Sequence, residues 1–155
     1  MKIGIIVHSQ TGKTHSVAML LKEKLSAAGH SVSVEQVIPD GEAQPGVKDL
    51  KFKTQPEIGK YDALVFGAPV QRFTLSPVFE CYLTQLSSLR DKKIALFVTK
   101  ALPFHWTGGN RAITLMKNTC ESKGASICGT GITWSTGKDQ EKKAADLVEK
   151  LSRLF

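Results

Sequence analysis

The sequence predicts an α/β fold, an open parallel sheet of five strands with helices on both faces. Short apolar runs alternate with amphipathic segments along the chain, the pattern of repeated strand–helix units. Three of the connections that follow apolar runs, "HSQTGKT", "GAPVQRFTLSP" and "TKALPFHWTGGN", carry hydroxyls, aromatics and cations that no ordinary turn requires. Open sheets of this kind bind ligands beyond the carboxyl ends of their strands, so these three loops are expected to converge.

Lys2 to Val7 is the first strand, and Thr14 to Ala28 the first helix, with Val17, Leu20, Leu21 and Leu25 on one face and Gly29 as its left-handed stop. Ser31 to Val37 alternates as a second strand. From Ile38 to Lys60 the chain carries three prolines and three glycines, which a regular helix would not tolerate, so this stretch reads as an irregular crossover. Ala63 to Gly67 is a third, buried strand. Ser76 then caps a helix with Pro77 in its first turn and Val78, Phe79, Tyr82, Leu83 and Leu86 as its apolar stripe. Ile94 to Thr99 is the fourth strand and Asn110 to Lys123 a helix stopped by Gly124. Ala125 to Trp134 is a fifth strand broken by Gly129 and Gly131. Asp139 to Leu154 closes the pattern as a helix with Ala145, Leu147, Leu151 and Leu154 toward the core.

With 155 residues, 41% hydrophobic and 23% charged, the chain is expected to form one domain, 1–155. The apolar run after Met1-Lys2 is too short for a signal-peptide core, and no stretch approaches the roughly 18 apolar residues of a membrane span, so cytoplasmic residence is expected. Cys81, Cys120 and Cys128 lack metal-site or redox-pair spacing and read as structural thiols; no metal site is expected. A formal net charge of +7 favours anionic partners. No RNA-binding signature or long Lys/Arg block points to nucleic acid.

Gly12-Lys13-Thr14 looks like the end of an ATP-binding loop, but that motif needs a second glycine five residues before Gly12, where Val7 stands. What remains, His8 to Lys13, is a short loop rich in hydroxyls at a helix start. It suits one terminal phosphate better than a polyphosphate. The amides of Gln10 to Thr14 and the hydroxyls of Ser9, Thr11 and Thr14 are the donors; Lys13 either meets the phosphate or faces water.

Ser9, Thr11, Gly12 and Thr14 match the form [Ser/Thr]-x-Thr-Gly-x-Thr, and the chain is similar there to the flavodoxin-like family, which includes FMN-binding flavodoxins and NAD(P)H-quinone reductases. "YDALVFGAPV" and "LFVTKALPFHWTGGN" resemble the family's third and fourth strands with their loops, so the resemblance covers almost the whole chain. It implies a three-layer sheet in order 2-1-3-4-5 binding FMN, the phosphate on the first loop and the ring between the other two. A flavin ring wants main-chain groups at its polar edge and apolar faces above and below. Ala68, Pro69, Val70, Gln71 and Arg72 would lie beside it and Thr99 and Lys100 at its pyrimidine side. Phe73, Phe104 and Trp106 are the stacking candidates, the last between His105 and the turn Gly108-Gly109. His8 and His105 lack a visible partner in sequence and read as solvated; Trp134 reads as core edge.

The chain departs from the family in two respects. Flavodoxins are typically acidic around the flavin, whereas Arg72, Lys100, His105 and Arg111 make this cleft basic. The turn after the third strand also lacks the glycine by which flavodoxins commonly let a peptide turn toward the ring, so one-electron specialisation is not implied. The sequence is compatible with three functions: an electron carrier docking on a redox partner protein, which the positive charge would make acidic; a small NAD(P)H-dependent FMN reductase of quinone-like acceptors; and a cofactor-free or nucleotide-binding regulatory module.

Overall fold

The computed structural model describes residues 1–41, 49–101, 108–134 and 139–155. Five parallel strands form the sheet: β1 (Lys2–Val7), β2 (Ser31–Gln36), β5 (Ala63–Gln71), β7 (Lys93–Lys100) and β8 (Ser126–Trp134). Their order is β2-β1-β5-β7-β8, the implied 2-1-3-4-5 arrangement. Helices α1 (Lys13–Ala27) and α4 (Gln140–Ser152) cover one face, α2 (Pro77–Gln85) and α3 (Gly109–Ser122) the other.

Alternation along the strands separates the two cores. Ile3, Ile5, Ala63, Val65, Ala95 and Phe97 face α1 and α4, while Ile6, Leu64, Phe66, Leu96 and Val98 face α2 and α3. Because both faces are covered, the central strands read as continuous apolar runs. Each fully buried Ile, Leu or Phe contributes roughly 1.5 to 3 kcal/mol of transfer free energy.

The helical stripes differ in detail from the sequence expectation. Leu20 is 45% exposed, and Ala18 packs in its place beside Val17, Leu21 and Leu25. Ala145 is exposed because it lies about 100° off the stripe formed by Ala144, Leu147, Val148 and Leu151. Ser76 begins α2 but makes no side-chain cap, and its buried Oγ has no partner among the described residues. Cys81 and Cys120 are buried free thiols and Cys128 a half-buried one.

The crossover contains a small antiparallel pair that periodicity did not reveal, β3 (Ile38–Pro39) with β4 (Phe52–Thr54). It is pinned to α2 through Phe52, edge-on to Tyr82, whose hydroxyl donates to the Pro56 carbonyl at 2.6 Å. The third strand also runs past its expected end at Gly67 to Gln71, then turns back as β6 (Thr74–Leu75). Ala68 and Pro69 are thus strand rather than turn, paired with Val98 and Thr99 of β7. Proline is tolerated because β1 ends opposite Gly67, so its missing N–H leaves no ladder bond unmade on that side. Among the described residues no helix is long and apolar enough to cross a membrane.

Candidate functional site

Between the end of β1 and the start of α1 the chain turns in five residues, and Gly12 makes that possible with φ +90°. A side chain there would cost roughly 1–2 kcal/mol in left-handed backbone strain. The loop closes on itself: the Gly12 N–H donates to Ser9 Oγ at 3.0 Å, and the Ser16 N–H and hydroxyl both donate to the Gly12 carbonyl, at 2.9 and 2.8 Å. The amides of Gln10, Thr11, Lys13 and Thr14 meet no acceptor among the described residues. Every helix leaves its first amides unpaired, but α1 has neither a side-chain cap nor an acidic residue in its first turn to claim them. Four donors and a positive dipole end are left for an anion.

The Thr14 hydroxyl, besides lining the cleft, has a partner within the protein. Thr14 is 1% exposed, and its Oγ1 lies 2.8 Å from Oγ1 of Thr99, itself buried at the end of β7. Its main-chain N–H remains with the loop; its side chain ties the first turn of α1 to the centre of the sheet.

The second loop is a tight hairpin. Gln71 pairs with Thr74, leaving a two-residue turn of Arg72 (φ 49°) and Phe73 (φ 63°). Both central residues are left-handed, a geometry that normally selects Asn-Gly. Both are exposed, Phe73 at 55%. Gly108, with φ +97°, stands against this turn: a Cβ on it would lie 2.2 Å from the Phe73 carbonyl oxygen. Gly108 therefore lets the start of α3 close on the hairpin, while Gly109 sits against Ile132 with the Lys100 stem beside it. Lys100 is only 7% exposed, and burial holds its ammonium below the usual lysine range.

These pieces enclose a cleft of about 160 Å³ between the start of α1 (Gln10, Thr11, Lys13, Thr14), the end of β5 (Pro69, Val70, Gln71) and the end of β7 (Thr99, Lys100, Ala101). The profile of the flavodoxin domain matches residues 4–103, more than half of the chain, spanning the phosphate-type loop, the hairpin and the end of β7. The chain belongs to the flavodoxin family. Solved flavodoxin structures share its fold: oxidised flavodoxin 2 from Bacillus cereus aligns over 100% of both chains at 20% identity with a TM-score of 0.72. The two-electron reduced flavodoxin from Megasphaera elsdenii aligns over 97% of this chain and 98% of its own at 22% identity, TM-score 0.68. A flavoprotein in complex with FMN from Lactobacillus acidophilus aligns over 94% and 97% at 16% identity, TM-score 0.63. No curated protein matches the chain.

In this flavodoxin-family cleft, Gln10, Thr11, Lys13, Thr14, Pro69, Val70, Gln71, Thr99 and Lys100 from the three unusual loops converge, whereas Ser9, Gly12, Ala68, Arg72, Phe73, Gly108 and Gly109 are not part of the lining. Phe104, His105 and Trp106 lie outside the described residues. Two features were not legible. His8 is 6% exposed rather than solvated; its Nδ1 lies 3.1 Å from the Val37 carbonyl. A carbonyl only accepts, so Nδ1 carries the proton and the buried Nε2, which has no partner among the described residues, is an acceptor. Burial lowers the His8 pKa and keeps the ring neutral. A second cleft of about 170 Å³ lies between α1 and α4, shares Lys13 and Thr99 with the first, and is walled by Val17, Leu20, Trp134 and Ala144.

Proposed function

We propose that the chain binds FMN in the first cleft and serves as a flavodoxin-type electron-transfer protein. The observation that carries this reading is the set of unclaimed amides at Gln10, Thr11, Lys13 and Thr14, in a cleft that continues to the ends of β5 and β7. A polyphosphate reading is disfavoured because Val7 is fully buried in β1, paired with Gly67, and cannot extend the loop. FMN carries one terminal phosphate, the anion that such a loop suits. The Lactobacillus flavoprotein, solved with FMN, shares the fold and so supports the choice of ligand.

When bound, FMN supplies a centre that accepts and releases electrons. The chain's own part is positioning. The loop amides hold the phosphate, Ser9 Oγ keeps Gly12 in place, and the Thr14–Thr99 tie fixes the first turn of α1 against β7. Past Gly67, β6 takes the place of β1 beside β5, with the Ser76 N–H donating to the Pro69 carbonyl at 3.1 Å, and the stretch Pro69 to Gln71 forms the cleft wall that a ring edge would meet. Lys100, at the end of β7, brings a positive charge to the same cleft. The test is reconstitution: protein stripped of small molecules should take up one equivalent of FMN and keep a flavin absorption spectrum after gel filtration. A colourless protein that retains none would overturn the reading.

A second reading, an NAD(P)H-dependent FMN reductase of quinone-like acceptors, is favoured by Arg111, which lines a polar groove with Asn110, Thr114 and Asn118 beside the hairpin and suits a nucleotide phosphate. Anaerobic NADPH would bleach the bound flavin without any partner protein if this reading held, and would leave it oxidised if the chain is a carrier.

A further inference from the structure

Around the hairpin tip, three exposed cations have no ion-pair partner among the described residues: Lys13, Arg72 and Arg111. The ion pairs present lie elsewhere, Lys24 and Arg153 with Glu149 and Lys60 with Glu35. The cations flank the tip on both sides. Gln71, entering the turn, lines the same cleft as Lys13, and Thr74, leaving it, lines the same groove as Arg111. One carboxylate, Glu80, shares the groove with Arg111, and Glu141 shares the second cleft with Lys13, so the surface keeps an excess of positive charge.

The tip itself is built against local preference. Arg72 and Phe73 occupy consecutive left-handed positions at a cost on the order of 1–3 kcal/mol each, where Asn-Gly would be free of it. Packing of Gly108 on the Phe73 carbonyl supports the shape. The result holds a guanidinium and a 55% exposed aromatic ring together at the rim of the cleft. Arginine and aromatic residues are the types enriched where interfaces concentrate binding energy.

We infer that the Arg72-Phe73 tip, with Lys13 and Arg111 around it, is the docking surface for an acidic redox protein. Carboxylates of that partner face the three cations, and an apolar recess among them receives Phe73. The inference rests on the flavin reading, since docking there brings the partner's redox centre to the rim of the flavin cleft.

The test is an NMR titration of the isotope-labelled, FMN-loaded protein with an acidic [2Fe-2S] ferredoxin as probe and basic cytochrome c as the opposite-charge control; the flavin-free protein is titrated in parallel. Perturbed resonances should cluster at 70–75 and 108–114, with ferredoxin binding about tenfold or more weaker at physiological than at low ionic strength. Arg72→Gln and Arg111→Gln should each weaken it roughly three- to tenfold, while Arg72→Lys retains it and Arg111→Gln leaves FMN affinity unchanged. Phe73→Ala should weaken docking as well. Equal binding of both probes, or indifference to salt and charge, would overturn the inference. So would a Phe73→Ala variant that loses FMN affinity with docking intact, because the tip would then be a lid on the chain's own cofactor. A protein that takes no FMN but docks the probe in its flavin-free form would sink the flavin reading and leave this surface standing.

Discussion

The hydroxyls of Thr14 and Thr99 lie 2.8 Å apart in a buried contact spanning 85 residues of sequence, joining the first turn of α1 to the last turn-ward residues of β7. The helix that presents the anion-binding amides is therefore fixed to the strand that forms the far wall of the cleft. Either Thr14→Val or Thr99→Val leaves the other hydroxyl buried and unpaired, at a cost of about 1–3 kcal/mol. The double variant should cost less than the sum of the two, as measured by urea unfolding. Strict additivity would show that the contact contributes nothing.

Replacing the strained tip by Arg72→Asn with Phe73→Gly should stabilise the protein by about 1 kcal/mol or more, because both new residues accept positive φ. Thermal unfolding measures it. A lower melting temperature would mean that contacts of the native side chains outweigh the backbone strain.

His8 makes stability depend on pH. Its folded pKa is lowered by burial, so below the ordinary value of 6.5 the unfolded chain binds a proton that the native ring refuses. Stability is therefore full above 6.5 and falls as pH drops from there toward the lowered folded value. Unfolding free energies at several pH values, compared with His8→Asn, measure the contribution. The variant should lose this part of the pH dependence, and an unchanged profile would remove His8 from the account.

Lys100 should raise the potential of bound flavin. Reduced flavin is readily stabilised as an anion, and a buried ammonium several ångströms away contributes on the order of 1 to 3 kcal/mol at an effective dielectric of about 20. For a two-electron couple 1.4 kcal/mol is about 30 mV, so Lys100→Gln should lower the midpoint by tens of millivolts in a dye-equilibration titration. A potential indifferent to the change would place the charge away from the ring.

The open parallel sheet and the meeting of its loops are legible in the strand–helix alternation, because apolar periodicity leaves local marks, whereas the strand order comes only with the family resemblance carried by Ser9, Thr11, Gly12 and Thr14. The β3–β4 pair is not legible, since two- and three-residue strands at Ile38 and Phe52 are too short to show a period. The hairpin at Arg72-Phe73 is hidden for the opposite reason: its residues contradict the usual turn chemistry, and the packing of Gly108 against the turn is not visible in sequence. The Thr14–Thr99 contact is not legible either, because the two residues are distant in sequence and no local signal announces a long-range pair. His8 likewise takes its burial from the crossing of Val37, which sequence spacing does not reveal.

The most direct test of the central claim is calorimetric titration of the flavin-free protein with FMN and with riboflavin, which differ by the phosphate alone. If the amides of Gln10, Thr11, Lys13 and Thr14 hold that phosphate, its charge-assisted hydrogen bonds, worth roughly 1.5 to 3 kcal/mol each, should make FMN bind at least about tenfold more tightly. Inorganic phosphate should compete with FMN and leave riboflavin binding untouched. Equal affinities for the two flavins, with no competition by phosphate, would contradict the assignment of this loop.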